Sequence, residues 1–243
     1  GAIAIARFGS SLWARLAEVQ FRQGRFDEAQ KAVDRALKLN PDLPPARMVA
    51  ADLLTETGKL DDADGAYRWF VQYYNRVQPE DAETLMLVAR GSAQYARWNS
   101  VSQIFNFVVN TLCPDALAAD ENYWQAYYIS GSLLLEKYNR GQAVPEFKSA
   151  LAINPHSADI YAEMARAAAQ DHEMDEARQF AERALQINPQ HVVAWQVISD
   201  VDFDQTKNEV AKKPAKSIPA IKARSRGSPL VTFCSMVRPT RTA

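Results

Sequence analysis

Cysteine, histidine and glycine are scarce in this 243-residue chain, and each shortage removes a class of chemistry. The two cysteines, Cys113 and Cys234, stand far apart and form neither a disulfide framework nor a metal knuckle. As free thiols they favour a reducing, cytoplasmic compartment. The three histidines, His156, His172 and His191, show no His-Glu-x-x-His or paired His–Cys spacing, and they read as polar turn residues. Glycine-rich phosphate loops are absent, because Arg90-Gly91-Ser92 and Gly131-Ser132 fall inside helical patterns. No segment reaches the roughly 18 uninterrupted apolar residues of a membrane span. The opening Gly-Ala-Ile-Ala-Ile-Ala-Arg has no initiator Met and no basic region, so it is not expected to be a signal peptide. Carboxylates are plentiful, but they recur at solvent-facing helical positions and none pairs as an acid–base couple. No enzyme activity, catalytic residue, metal or cofactor is expected.

The net charge of −1 conceals two opposed parts. Residues 1–206 carry 19 Lys/Arg against 28 Asp/Glu, whereas residues 207–243 carry nine against one. The second stretch adds Pro214, Pro219, Pro229 and Pro239 and shows no helical period. Such composition buries too little apolar surface to offset its ordering entropy, so a disordered basic tail is expected from Lys207. It has only Phe233 as an aromatic for base stacking, so specific nucleic-acid binding is not expected. A charge-only contact with nucleic acid or anionic membrane, a fold back into the rest of the chain, and a solvated extension stay open.

What the chain has in quantity is alanine at fixed offsets. Between Trp124 and His191 a 34-residue unit is written twice. The first copy has Gly131, Ala143, Phe147, Ala150 and Pro155 at positions 8, 20, 24, 27 and 32, and the second has Ala165, Ala177, Ala181, Ala184 and Pro189 at the same offsets. Residues 10–43 repeat the scheme with Trp13, Leu16, Ala17, Gly24, Phe26, Ala29, Ala36 and Pro41. There an amphipathic helix ends at Gly24, and a second begins with Asp27-Glu28 against its dipole and stops at Asn40-Pro41. Residues 44–77 follow, with Phe70 at the close-packing position 27 and no proline at 32. That helix is predicted to run on toward Asn75 until Pro79, with Phe70 pushing the next helix outward. Residues 82–115 diverge most: a break is predicted at Tyr95-Ala96, and residues 115–122 read as an inter-repeat loop. After His191 one more helix, residues 192–204, is predicted to cap the array by packing Val192, Trp195, Ile198 and Val201 inward. Gly1–Gly9 read as the end of a preceding helix or a frayed start. The tryptophans are expected mainly in the core.

This pattern resembles the tetratricopeptide repeat. The resemblance implies an all-α right-handed superhelix of about five helix-turn-helix units (10–43, 44–77, 82–115, 124–157, 158–191) over residues 1–206. It further implies a non-catalytic scaffold for protein–protein interaction, whose concave surface is lined by positions 2, 5, 9, 12 and 13 of each unit. Carried onto this chain, those offsets select Glu18, Arg22, Asp52, Glu56, Glu83, Arg90, Tyr128, Glu136, Arg166 and Gln170, together with Phe21, Met48, Met86, Gln125 and their neighbours. Tyr128 is expected to be exposed. A groove of this composition favours a protein or peptide partner presenting an extended basic and apolar segment. The chaperone-tail clamp of some relatives is not expected, because its positions hold Ala14, Glu18, Val49, Glu83 and Leu87. The alternative implied is an accessory repeat region of a larger multidomain protein with its catalytic domain elsewhere. The oligomeric state stays open.

Overall fold

The computed structural model describes the backbone of residues 2–137 and 139–212, and the side-chain environments of 9–137 and 139–204. The described residues are helices joined by short turns, without a strand. Residues through Phe203 belong to one unit, and Asp204 begins a second. In the first, helices pair in chain order: α1 (Ala2–Arg22) with α2 (Phe26–Leu39), α3 (Pro44–Glu56) with α4 (Leu60–Val77), and α8 (Trp124–Glu136) with α9 (Arg140–Ile153). The last complete pair is α10 (Ala158–Gln170) with α11 (Met174–Ile187). Between them α5 (Ala82–Asn99) is followed by a composite helix, α6 (Ser102–Phe107), one π-helical turn (Val108–Leu112) and α7 (Cys113–Ala119). The helix α12 (Val192–Lys212) closes the series.

The repeated small residues form the seams. Ala17, Ala29, Ala36, Ala51, Ala63, Ala89, Ala143, Ala150, Ala165, Ala177 and Ala184 are fully buried. Without a larger side chain at those points, ridges of one helix reach the grooves of its neighbour. Phe70 breaks the small-residue rule, and the sequence compensates on the facing helix. A Cβ placed on Gly91 of α5 would lie 2.3 Å from Cδ2 of Phe70, so the ring occupies the space that any side chain at 91 would need. Gly131 and Phe147 repeat the device, with a hypothetical Cβ 2.7 Å from the ring.

Several expectations are corrected. Residues 2–9 belong to the same helix as residues 10–22, not to a preceding one. Tyr95-Ala96 is no break: Ala93 and Ala96 are buried, and α5 continues to Asn99, where Ser100 turns the chain at φ 57°. Residues 115–119 are helical, and the loop shrinks to the turn after Ala119. Pro114 explains the composite helix. It lacks an N–H and crowds the carbonyl four residues back, and the π turn widens the helix just before it, with Cys113 N–H donating to Val108 O. In α12 the inward face is Ala194, Val197 and Val201, with Ile198 partly buried. Val192 and Trp195 lie outside, 78% and 54% exposed. Trp98 is also partly exposed, its ring edge-on to that of Tyr67 at 5.4 Å. The extension of α4 is as predicted and reaches Val77. The helix α12 runs to Lys212, beyond the expected end at 204, and the tail from 213 onward lies outside the described residues.

His191 caps α12: its carbonyl accepts from Trp195 N–H, its Nδ1 from Ala194 N–H at 3.3 Å, and its Nε2 meets Asp159 Oδ1 at 2.9 Å. The hairpin turns use left-handed backbone at Gly24 (φ 72°), Gly58 (φ 76°) and His172 (φ 62°). At His172 no glycine relieves the cost, and Arg140 holds the turn instead, reaching Asp171 at 2.5 Å and Glu173 at 3.2 Å.

Two outcomes are expected in urea unfolding. His172→Gly removes the left-handed penalty of about 1 kcal/mol and raises the midpoint. Gly91→Ala overpacks the Phe70 seam and costs about 1–3 kcal/mol. Adding Phe70→Leu recovers part of that loss, and strict additivity of the two changes would contradict the seam.

Candidate functional site

The helices α1, α3, α5 and α8 are the first helices of four consecutive units, and their facing sides enclose a groove of about 310 Å³. Its walls carry Glu18, Arg22, Asp52, Glu83 and Arg90, five of the ten expected site residues. The floor is apolar: Phe21, Leu87 and Ile129 are partly exposed in it, and Met48, Val49 and Met86 are buried at its base. Val49, Leu87 and Ile129 all sit at position 6 of their units, an offset not selected in the sequence. Three apolar residues in register, each beside position 5, were the available signal. Pro45 and Tyr123 complete the lining missed from sequence.

Charges in the groove are largely committed to one another. Asp52, whose side chain is only 14% exposed, accepts from Tyr67 Oη at 2.8 Å and pairs with Arg90 of the next unit. Thr55 Oγ1 lies 3.3 Å from the same tyrosine hydroxyl and donates to Ala51 O at 3.0 Å. Burial, more than the neighbouring Asp52 carboxylate, pushes the Tyr67 phenol up to about 12. Glu18 pairs with Arg22 one turn on at 2.6 Å. Glu83 reaches Arg15 only at 4.0 Å and is well exposed. With three carboxylates and two guanidiniums on its walls, the groove is nearly balanced in charge. Glu18 and Glu83 are the exposed acids of the groove, Glu18 sharing its charge with Arg22, whereas Asp52 is part of the frame.

The other five expected residues are not brought to this groove. Glu56 is exposed at the last position of α3. Tyr128, expected to be exposed, is half-buried beside Trp124 and Phe147, its ring 6.2 Å and 6.5 Å from theirs. Burial foremost, then the nearby Glu163 and Asp159 carboxylates, push its phenol well above the usual range. Glu136 receives a forked interaction from Arg97, Nε to both oxygens at 3.1 Å and Nη2 to Oε1 at 2.6 Å. Arg166 forks to Glu163 with both oxygens at 2.9 Å. Burial raises the Glu163 carboxyl pKa while Arg166 opposes the shift. Arg166 and Gln170 line a separate depression of about 310 Å³ with Gln196 and Asp200 of α12. The Cys113 thiol, pushed up to about 12 chiefly by burial, is no nucleophile near neutral pH. No described helix is long and apolar enough to cross a membrane.

The architecture defines a solenoid of helical hairpins whose first helices share one lined face. Two family models, both described as tetratricopeptide repeat, match residues 10–53 and 134–201. The chain carries tetratricopeptide repeats in both stretches. No curated protein matches it in sequence. Among solved structures it is similar to a thermophilic TPR protein of Thermus thermophilus, at TM-score 0.64 and 20% identity over 80% of this chain and 99% of that one. It is also similar to PilW, a widely conserved type IV pilus biogenesis factor (TM-score 0.56, 20% identity, 82% and 89% coverage). Pseudomonas aeruginosa pilF gives TM-score 0.55 at 17% identity, with 87% and 89% coverage. At these identities the likeness concerns the fold. Tetratricopeptide-repeat proteins generally mediate protein–protein interaction, and the repeat fold is typical of non-catalytic scaffolds.

The buried Tyr67 phenol has a pH signature. A phenol whose folded pKa is raised from 10.0 to about 12 contributes stability that is complete below pH 10 and lost as pH climbs toward 12. Tyr67→Phe is expected to shrink that alkaline loss in a melting series between pH 9 and 12, while lowering stability at pH 7 by about 1 kcal/mol. An unchanged alkaline slope in the variant would contradict the assignment.

Proposed function

We propose that the groove among α1, α3, α5 and α8 holds an extended segment of a partner protein. The observation that carries this reading is the apolar floor, in which Phe21, Leu87 and Ile129 are partly exposed, between charged walls. The prearranged Asp52–Arg90 pair lowers the ordering cost of binding. An apolar side chain of the partner lies on this floor, and a basic neighbour meets Glu83, or Glu18 in exchange for its Arg22 partner. Glu136 and Glu56 contribute no direct contact here. The protein then acts as a non-catalytic scaffold, with partner choice set by its first four units.

Fluorescence anisotropy with a library of labelled peptides tests this. Peptides alternating apolar and basic residues are expected to bind, and Glu18→Lys with Glu83→Lys to weaken them at least tenfold, about 1.4 kcal/mol. Asp52→Asn serves as the contrast, since it loosens the frame and lowers thermal stability. Preferential binding of acidic peptides, or indifference to the double reversal, would sink the proposal.

A further inference from the structure

The two ends of the array carry apolar faces with no cover among the described residues. On α1, Leu12, Leu16 and Val19 recur on one side of the helix and are 53%, 40% and 50% exposed. This strip lies opposite the buried Ala14 and Ala17. The side chain of Leu39, also exposed, lies beside Gly9 and lengthens it. On α12, Val192, Trp195 and Phe203 share one side and are 78%, 54% and 72% exposed, away from the buried Ala194, Val197 and Val201. Isolated exposed apolar residues are ordinary, but an aligned strip on a terminal helix is a contact surface.

Charge singles out which surfaces match. The first hairpin, residues 2–39, has seven Lys/Arg against four Asp/Glu. The last, residues 174–212, has four against seven. Joining two first hairpins brings like charge together, as does joining two last ones. Joining a first to a last brings opposite fields together.

We propose that copies of this chain associate head to tail, the α1 strip of one seating on the α12 strip of the next. Such a contact is heterologous, so each copy keeps one free end and further copies add in series. The concave groove of each copy stays outside the contact, and a string of copies presents its grooves side by side.

Sedimentation velocity of the whole chain over a range of concentration tests the proposal. The mean mass is expected to climb above the 27.2 kDa of one chain, past two copies. Leu16→Glu spoils only the head and Trp195→Glu only the tail, so each variant alone stays monomeric. Because Trp195 Nε1 donates to Pro189 O at 2.8 Å, Phe203→Glu serves as a second tail variant and Val19→Glu as a second head variant. Circular dichroism checks that all four are folded. An equimolar mixture of one head and one tail variant is expected to form a dimer and nothing larger, through the one intact pair of faces. Three results would each overturn the proposal: a native chain monomeric throughout, a folded single variant that still self-associates, or a mixture that stays monomeric while the native chain associates.

Discussion

Close approach between paired helices is the constraint on which the rest of this structure depends. A seam lined by alanine lets backbones come near enough for one helix to bury its neighbour's ridge, and the array is a succession of such seams. Where a seam holds an aromatic ring instead, the facing helix offers a glycine, as Gly91 does for Phe70 and Gly131 for Phe147. The ring then stays fully buried. The groove depends on these seams, since Gly91 lies one residue from Arg90 and α5 carries four of the groove's charged or floor residues, Glu83, Met86, Leu87 and Arg90. Packing at the back of α5 therefore positions the recognition side chains on its front.

The regular parts of the fold were legible because their signals are local. Alanine spacing, Gly24, Gly58 and the Asn-Pro stops each act within one hairpin, and the helices fall where those residues put them. The unusual third unit was not legible, for a physical reason: the break assumed at Tyr95-Ala96 rested on repeat length alone, and neither residue disfavours helix. Burial of Ala93 and Ala96 carries α5 past that point. Pro114 invited a loop, but a π turn accommodates it within a helical run. Trp195 invited an inward face by its bulk, whereas tight packing on α11 favours the smaller Ala194.

Family offsets named nine of the fourteen residues that line the groove. They named the wall charges Glu18, Arg22, Asp52, Glu83 and Arg90, because concave direction follows from helix geometry. They did not reveal which charges are occupied, since Asp52–Arg90 joins two units and Tyr67 reaches Asp52 from the second helix of its hairpin. Nor did they mark position 6, where Val49, Leu87 and Ile129 turn a polar-looking trough into one with an apolar base. Pairing also leaves the groove nearly balanced in charge, with Glu83 its least committed acid. In the proposed complex, contact with apolar side chains supplies affinity, and Glu18 and Glu83 supply orientation.

The methionines offer a direct probe of this account. Of the five in the chain, Met48 and Met86 are buried at the base of the groove, while Met164 and Met174 line other depressions. Methyl NMR of Met-labelled protein, titrated with an apolar-basic peptide, reads each floor position separately. The account predicts that the Met48 and Met86 signals shift and saturate together while those of Met164 and Met174 hold still. Shifts confined to Met164 or Met174 would place the partner elsewhere and contradict it.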